Sequence, residues 1–291
     1  MLEVFPFFVG CGRSGTTLMR AMFNAHPAMA VPSESYFLAP MGRAESRRHY
    51  ETEAGFAVDS FVRSLQCEPG FRQWGIPEEA LGMALLHPPP RDYPDAARRV
   101  FALYASLQQK PRYGDKTTLY VLNIALLAEL FPEARFVHII RDGRDVALSW
   151  LDTGWDFGPQ TIEEAALYWR YHVKRGQRSG RALGAERYRE VLYEDLLRDP
   201  PGGLKTLCEF LELDFDPRML AYPERAAELL GTMPRPQHHQ HLRLPPTKEL
   251  RSWRRDMPRD DVAHFESLAG SVLEDLGYEV RRGGATGGPS R

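Results

Sequence analysis

At 291 residues, 43% hydrophobic and 26% charged, the chain is long enough for one large domain with a substantial core or for two small ones. Its 37 Lys and Arg against 39 Asp and Glu leave a net charge of −2, which excludes a global field drawing it to nucleic acid or an anionic membrane, so any anion site must be local. Cys11, Cys67 and Cys208 have neither metal spacing nor a disulfide framework, and no stretch approaches the ~18 continuous apolar residues of a membrane span, so a reducing, cytoplasmic setting is expected.

In chain order, VFPFFVG is a short apolar run ending in glycine, and the helical spacing of Leu18, Met19, Met22 and Phe23 predicts a helix over 15–25. Residues 41–111 are helical in character but punctuated by proline, including HPPPRDYP, and are expected to form a helical cap inserted into the same domain. The strand and helix grammar then returns. RYGDK reads as a short strand, TLYVLNIALLAELF as a helix, ARFVHII as a buried strand and DGRDVALSWL as the start of another helix. A long helix over 161–181, a strand within RYREVLYEDL and a helix in GGLKTLCEFLEL follow. This alternation predicts an α/β fold of P-loop type: three layers, a central parallel sheet with helices on both faces, and the cap insertion. Residues 1–281 are expected to form one domain and the apolar-poor tail 282–291 to be disordered.

The stretch VGCGRSGTTL has the spacing G-x-x-x-x-G-K-[ST] of a nucleotide-binding loop, except that Thr16 stands where the lysine belongs. A glycine loop between strand and helix presents backbone N–H groups and a helix N-terminus to an anion. Arg13 adds a planar guanidinium fork inside the loop, and Ser14, Thr16 and Thr17 add hydroxyl donors. That set suits a single terminal phosphate better than a magnesium-clamped triphosphate; the alternative is a glycine turn that merely joins strand to helix. In FVHIIRDGRDVALSW, Arg141 falls at the carboxyl end of an apolar strand, on the rim where open α/β sheets collect ligands, and Ser149 lies about two helical turns further on. Alternatively Arg141, Asp142, Arg144 and Asp145 read as a self-neutralising helix start, the reading preferred for Arg144 and Asp145.

RSGTTLMRAMFNAHP, FPEARFVHIIRDGR and Ser149 together resemble the two cofactor signatures of sulfotransferases that use 3′-phosphoadenosine 5′-phosphosulfate (PAPS). The likeness is nearest to the branch of tyrosylprotein sulfotransferases and their bacterial homologues, and extends to VLYEDLLRDP and the late SWRRDMP and LEDLGY segments. It implies that Arg13, Ser14, Gly15, Thr16 and Thr17 hold the 5′-phosphosulfate, that Arg141 and Ser149 hold the 3′-phosphate, and that Tyr193 lies near the nucleotide. Arg251 and Arg254 would belong to the basic segment that closes over it. Lys116, in YGDKTT, matches the family lysine that contacts the bridging oxygen, and Glu34 the base glutamate of the tyrosylprotein branch. The chemistry implied is metal-free sulfuryl transfer to a hydroxyl, leaving 3′,5′-adenosine bisphosphate. Thr153 stands where the tyrosylprotein enzymes carry another cofactor arginine, and no secretory anchor is evident, so the acceptor expected is a small molecule, carbohydrate, lipid or natural product rather than a protein tyrosine.

Other features compete for attention. His26, His87 and His138 are alternative bases, with His26 read as a structural cap and His138 as a core histidine. QHHQH at 237–241 lacks fixed metal-ligand geometry. Arg170, Lys174 and Arg178 read as a solvated helix face, and Trp150, Trp155, Phe157, Trp169 and Tyr171 as acceptor-pocket or core aromatics. Two other functions remain open at this point: a P-loop phosphotransferase or kinase using ATP and magnesium, and a non-enzymatic nucleotide-binding scaffold.

Overall fold

The computed structural model describes residues 2–231, 236–246 and 252–281. The expected tail at 282–291 and the candidate Arg251 lie outside the described residues.

The chain opens with β1 (Phe5–Gly10), every residue of which is buried. It turns through the glycine loop into α1 (Thr16–Ala25) and returns through the two-residue strand β2 (Met29–Ala30). A run of helices follows, ending in α2 (Tyr93–Leu107), and leads to β3 (Arg112–Tyr113). Next come α3 (Ile124–Leu130), β4 (Ala134–Ile140), α4 (Gly143–Leu151) and the long α5 (Ile162–Arg181). The described chain is completed by β5 (Tyr188–Leu192), α6 (Tyr193–Arg198), α7 (Pro200–Phe210), 3-10 turns and α8 (Arg259–Asp275).

β1 pairs in parallel with β4, Phe5 opposite Ala134 and Gly10 opposite Ile139; β4 pairs in parallel with β5, Phe136 opposite Tyr188. β2 and β3 form a second parallel pair, joined to β1 by a parallel bridge at Phe7 and Asp115. The order is therefore β2-β3-β1-β4-β5, all parallel. Such a sheet needs apolar cover on both faces, which explains the near-continuous apolar runs of β1 and β4. Phe5, Phe7 and Val9 pack with Phe101, Phe131 and Phe136, whereas Phe8 packs with Met19 and Phe23 of α1.

The helices between β2 and β3, among them Val58–Cys67 and Glu78–Leu86, place Phe61, Leu81 and Tyr93 in the same apolar cluster as Phe5 and Phe7. Within them stands a small antiparallel hairpin, Glu51–Thr52 with Gly55–Phe56, which the sequence pattern does not predict; Gly55 supplies its turn at φ 112. The single helix expected from TLYVLNIALLAELF is instead a 3-10 turn, Thr118–Leu122, and α3, parted at Asn123. The hydroxyls of Thr117 and Thr118 are drawn to Asp115 and Glu34, so the segment enters as a turn before it becomes a helix.

Candidate active site

The loop after β1 is built to leave donors uncommitted. Gly15 caps α1 at φ 98 and no side chain caps the helix, so the first-turn N–H groups have no side-chain acceptor at the cap. A Cβ on Gly15 would stand 2.3 Å from the Tyr193 ring, so both backbone conformation and close packing demand glycine there. Arg13 itself adopts a left-handed backbone at φ 72. That turns its side chain toward α4, where Nε donates to Ser149 Oγ at 3.1 Å. The guanidinium also donates to the His238 carbonyl at 3.4 Å and lies 5.6 Å from the centre of the Trp155 ring.

Arg141 leaves the end of β4 next to this loop. Its guanidinium lies 4.9 Å from the centre of the Tyr193 ring, donates to the Arg13 carbonyl at 3.5 Å and pairs with Asp145 at 3.8 Å. Trp169 of α5 fixes the backbone beneath it by donating from Nε1 to the Arg141 carbonyl at 3.0 Å. Burial pushes the Asp145 carboxyl up to about 6, against the opposing pull of Arg141 and of the Trp253 N–H. These groups share one cavity of about 610 Å³, whose lining includes Arg13, Gly15, Thr16, Thr17, Arg141, Ser149, Tyr193 and, at its rim, Arg254. Arg254 pairs there with Glu279 at 3.0 Å. Ser14 lies beneath the loop, fully buried; its Oγ and the Nε of Arg141 are buried without hydrogen-bond partners among the described residues. Of the two, Arg141 lines the cavity, and an orphaned cationic donor there is what an oxyanion satisfies.

A second group stands on the neighbouring strands. Because β2 and β3 run in parallel, the segments leaving their carboxyl ends bring Glu34 and Lys116 together as an ion pair. Glu34 also accepts from Thr118 Oγ1 and from the Tyr36 hydroxyl, each at 2.9 Å. Burial would raise its carboxyl, but Lys116 and the hydrogen bonds outweigh it and hold the group below the ordinary carboxylate range. The side chain keeps 27% exposure, whereas Lys116 keeps 5%, so the carboxylate is the member of the pair open to solvent. His239 connects the two groups. It lines the large cavity, and burial pushes it down to about 3, helped by the cations of both Arg13 and Lys116.

The family model described as "Sulfotransferase family" matches residues 6–217, which spans the glycine loop, the Glu34–Lys116 pair and the Arg141–Ser149 arm. The chain belongs to the sulfotransferase family. It is 24% identical over 281 residues to protein-tyrosine sulfotransferase A of Caenorhabditis elegans, covering 94% of this chain and 67% of that protein. It is likewise 24% identical to protein-tyrosine sulfotransferase of Drosophila melanogaster, of which it spans about half, 51%. Among solved structures, the sulfotransferase domain from the curacin biosynthetic pathway superimposes with a TM-score of 0.61 at 19% identity, covering 96% of this chain and 99% of that one. The sulfotransferase domain of the Synechococcus olefin synthase gives 0.54 at 22%, covering 96% of both, and a mouse sulfotransferase complexed with PAP gives 0.50 at 15%, covering 95% and 88%. These likenesses establish the P-loop-type α/β fold.

Within this sulfotransferase-family chain, the charges at the start of α4 neutralise one another, in crossed pairs. Arg144 is fully buried between Asp142, at 2.7 Å, and Glu266 of α8, at 2.6 Å, while Asp145 serves Arg141. Trp169 is core, not pocket wall, and Tyr171 is 57% exposed on α5; Trp150, Trp155 and Phe157 do cluster beside Arg13. Arg170 donates to the Leu268 carbonyl of α8 at 2.6 Å and so is not part of a solvated face. His26 caps the end of α1 by bonding Ala28 N and Asp214 O, and His138 is core, bonded to the Tyr188 hydroxyl.

The residues that sequence reasoning missed are His238, His239 and His241, which roof the cavity from a 3-10 turn, and Glu194, which accepts from Asp142 N and the Tyr278 hydroxyl. No set of three or more His, Cys, Asp or Glu is arranged to hold a metal ion among the described residues, and no helix there is long and apolar enough to cross a membrane.

Proposed function

We propose that the chain transfers a sulfo group from PAPS to a hydroxyl of a small-molecule, carbohydrate, lipid or natural-product acceptor, with Glu34 as general base. One observation carries the reading: the glycine loop and the Arg141–Ser149 arm meet in a single cavity, joined by the bond from Arg13 to Ser149. The residues present fit the donor. Arg141 Nε is a buried cavity-lining donor without a partner among the described residues, α1 has no side-chain cap, and Thr16 fills the loop position where a nucleotide-binding lysine would stand. That last point argues against an ATP-and-magnesium phosphotransferase, whose loop lysine bears on the β- and γ-phosphates.

PAPS supplies a sulfo group on a phosphosulfate bond and departs as 3′,5′-adenosine bisphosphate. Thr16, Thr17 and the loop amides hold the 5′ end, Arg141 and Ser149 the 3′-phosphate, and Tyr193 packs beside the nucleotide. Arg254 stands at the rim. The acceptor hydroxyl gives its proton to Glu34 as its oxygen takes the sulfo group, while Arg13 and Lys116 offset the negative charge that grows on the departing phosphate. The Lys116 ion pair keeps Glu34 charged and ready to accept that proton.

A tyrosyl acceptor is the second reading, favoured by the names of the relatives matched over 94% of the chain and by the aromatic cluster Trp155–Phe157 beside Arg13. Calorimetry tests the donor: tight binding of 3′,5′-adenosine bisphosphate supports it, whereas tight binding of ATP with magnesium and none of the bisphosphate would sink it. A panel of alcohols, phenols, sugars and tyrosine peptides incubated with PAPS, read by mass gain of one sulfo group, separates the acceptors.

A further inference from the structure

We propose that a second cavity, of about 160 Å³ and sharing no lining residue with the first, binds a small carboxylate of acetate to benzoate size. Its walls come from four places: Arg20 of α1, Ser33 before the Glu34 turn, Trp74 and Lys110 on either side of α2, and Tyr222 with Arg225 from the 3-10 turn Pro217–Arg225.

Three observations point to a ligand. Ser33 is 6% exposed, its carbonyl is taken by Trp74 Nε1 at 2.9 Å, and its Oγ is buried without a hydrogen-bond partner. Lys110 Nζ donates to the carbonyls of Asn24 and Met29, which commits two of its three N–H donors. The carboxylate among the described lining residues, Glu228, is paired with Arg225 at 3.0 Å, while the two bonds of Lys110 go to backbone carbonyls. Burial pushes the Lys110 ammonium down to about 8, helped by Arg225 and opposed by Glu228. The amides of Asn24, Gln73 and Gln108 share the rest of the wall with an apolar face formed by the rings of Trp74 and Tyr222 and by Leu229. A carboxylate on a short apolar body answers all of these at once: one oxygen for the Ser33 hydroxyl, one for the third Lys110 N–H, and carbon against the rings.

The site is read without sulfo donor or turnover, so its failure leaves the catalytic reading untouched. The full chain is titrated with sodium acetate and sodium benzoate at constant ionic strength while the Trp74 indole N–H is followed by NMR, assigned with Trp74→Phe. A saturable shift with either acid, absent with benzamide, supports the site. Lys110→Met is expected to weaken the better-binding acid at least tenfold and Ser33→Ala about threefold or more. If Lys110→Met does not fold, Ser33→Ala carries the test. No saturable shift with either acid, equal binding of benzamide, or unchanged affinity in the folded variants overturns the proposal.

Discussion

Arg13 is the residue on which most of the proposed chemistry turns. It belongs to the loop and bonds Ser149 of the second anchoring motif, and its left-handed backbone is a conformation that a non-glycine residue adopts at a cost of about 1–2 kcal/mol. Arg13→Ala removes a charged donor aimed at the departing phosphate, and a loss of at least 100-fold in sulfo-transfer rate is expected. A near-normal rate in that variant takes Arg13 out of the mechanism. Glu34 gives a pH prediction with a definite sign. A base acts when deprotonated, and its carboxyl is held below the ordinary range of about 4.3 by Lys116, Thr118 and Tyr36, which together outweigh burial. The rate should therefore stay flat as pH falls from 8 to 5.5. Thr118→Val deletes one of the bonds that stabilise the charged form, so its acid limb should move upward. A wild-type limb between pH 6 and 7 would exclude Glu34 as the base.

At the scale of elements, the sheet holds its ligand-facing ends through buried polar joints. Arg144 at the start of α4 ties β4 to α8 through Asp142 and Glu266. Glu266→Ala leaves a fully buried guanidinium short of one carboxylate, with an expected loss of about 3 kcal/mol in urea denaturation; a change under about 0.5 kcal/mol would show the joint to be dispensable. His138 in β4 is the second joint, its Nδ1 bonded to the Tyr188 hydroxyl of β5 at 2.6 Å. Burial pushes it down to about 4 from an unfolded value near 6.5, so between those pH values the unfolded chain binds the extra proton and stability falls as pH falls. The integrated loss approaches about 3 kcal/mol at the acid end. Replacing both partners, His138→Leu with Tyr188→Phe, should keep stability near wild type at pH 7.5 and flatten the decline toward pH 5. An unaltered decline would assign it to other groups. The periodicity of β1, β4 and α5 made these elements legible, because each carries one unbroken burial pattern. The split at Asn123 was not, since it comes from Glu34 and Asp115 pulling on threonines, and Glu34 lies 84 residues from Thr118.

At the scale of the molecule, the anchoring motifs were readable because each is a local solution to a local problem, a turn that frees N–H groups or a charge at a strand end. The roof over them was not. His238 reaches Arg13 across 225 residues, and nothing in QHHQH announces a carbonyl turned toward a guanidinium. How the two motifs divide the nucleotide sets the final prediction. If Arg141 and Ser149 grip a 3′-phosphate while the loop grips the 5′ end, 3′,5′-adenosine bisphosphate should stabilise the fold far more than 5′-AMP, which lacks only the 3′-phosphate. At a ligand concentration 100 times its Kd, binding adds about 2.7 kcal/mol, equivalent to a rise of roughly 4–5 °C in Tm for a chain of this size. The same concentration of 5′-AMP should give a markedly smaller rise. Arg141→Ala should erase the difference between the two ligands by lowering the bisphosphate to the 5′-AMP value, because it removes the cation assigned to the 3′ end and leaves the loop intact. Equal shifts for both nucleotides in the wild type would mean that the Arg141–Ser149 arm shapes the Arg13 loop and does not bind phosphate.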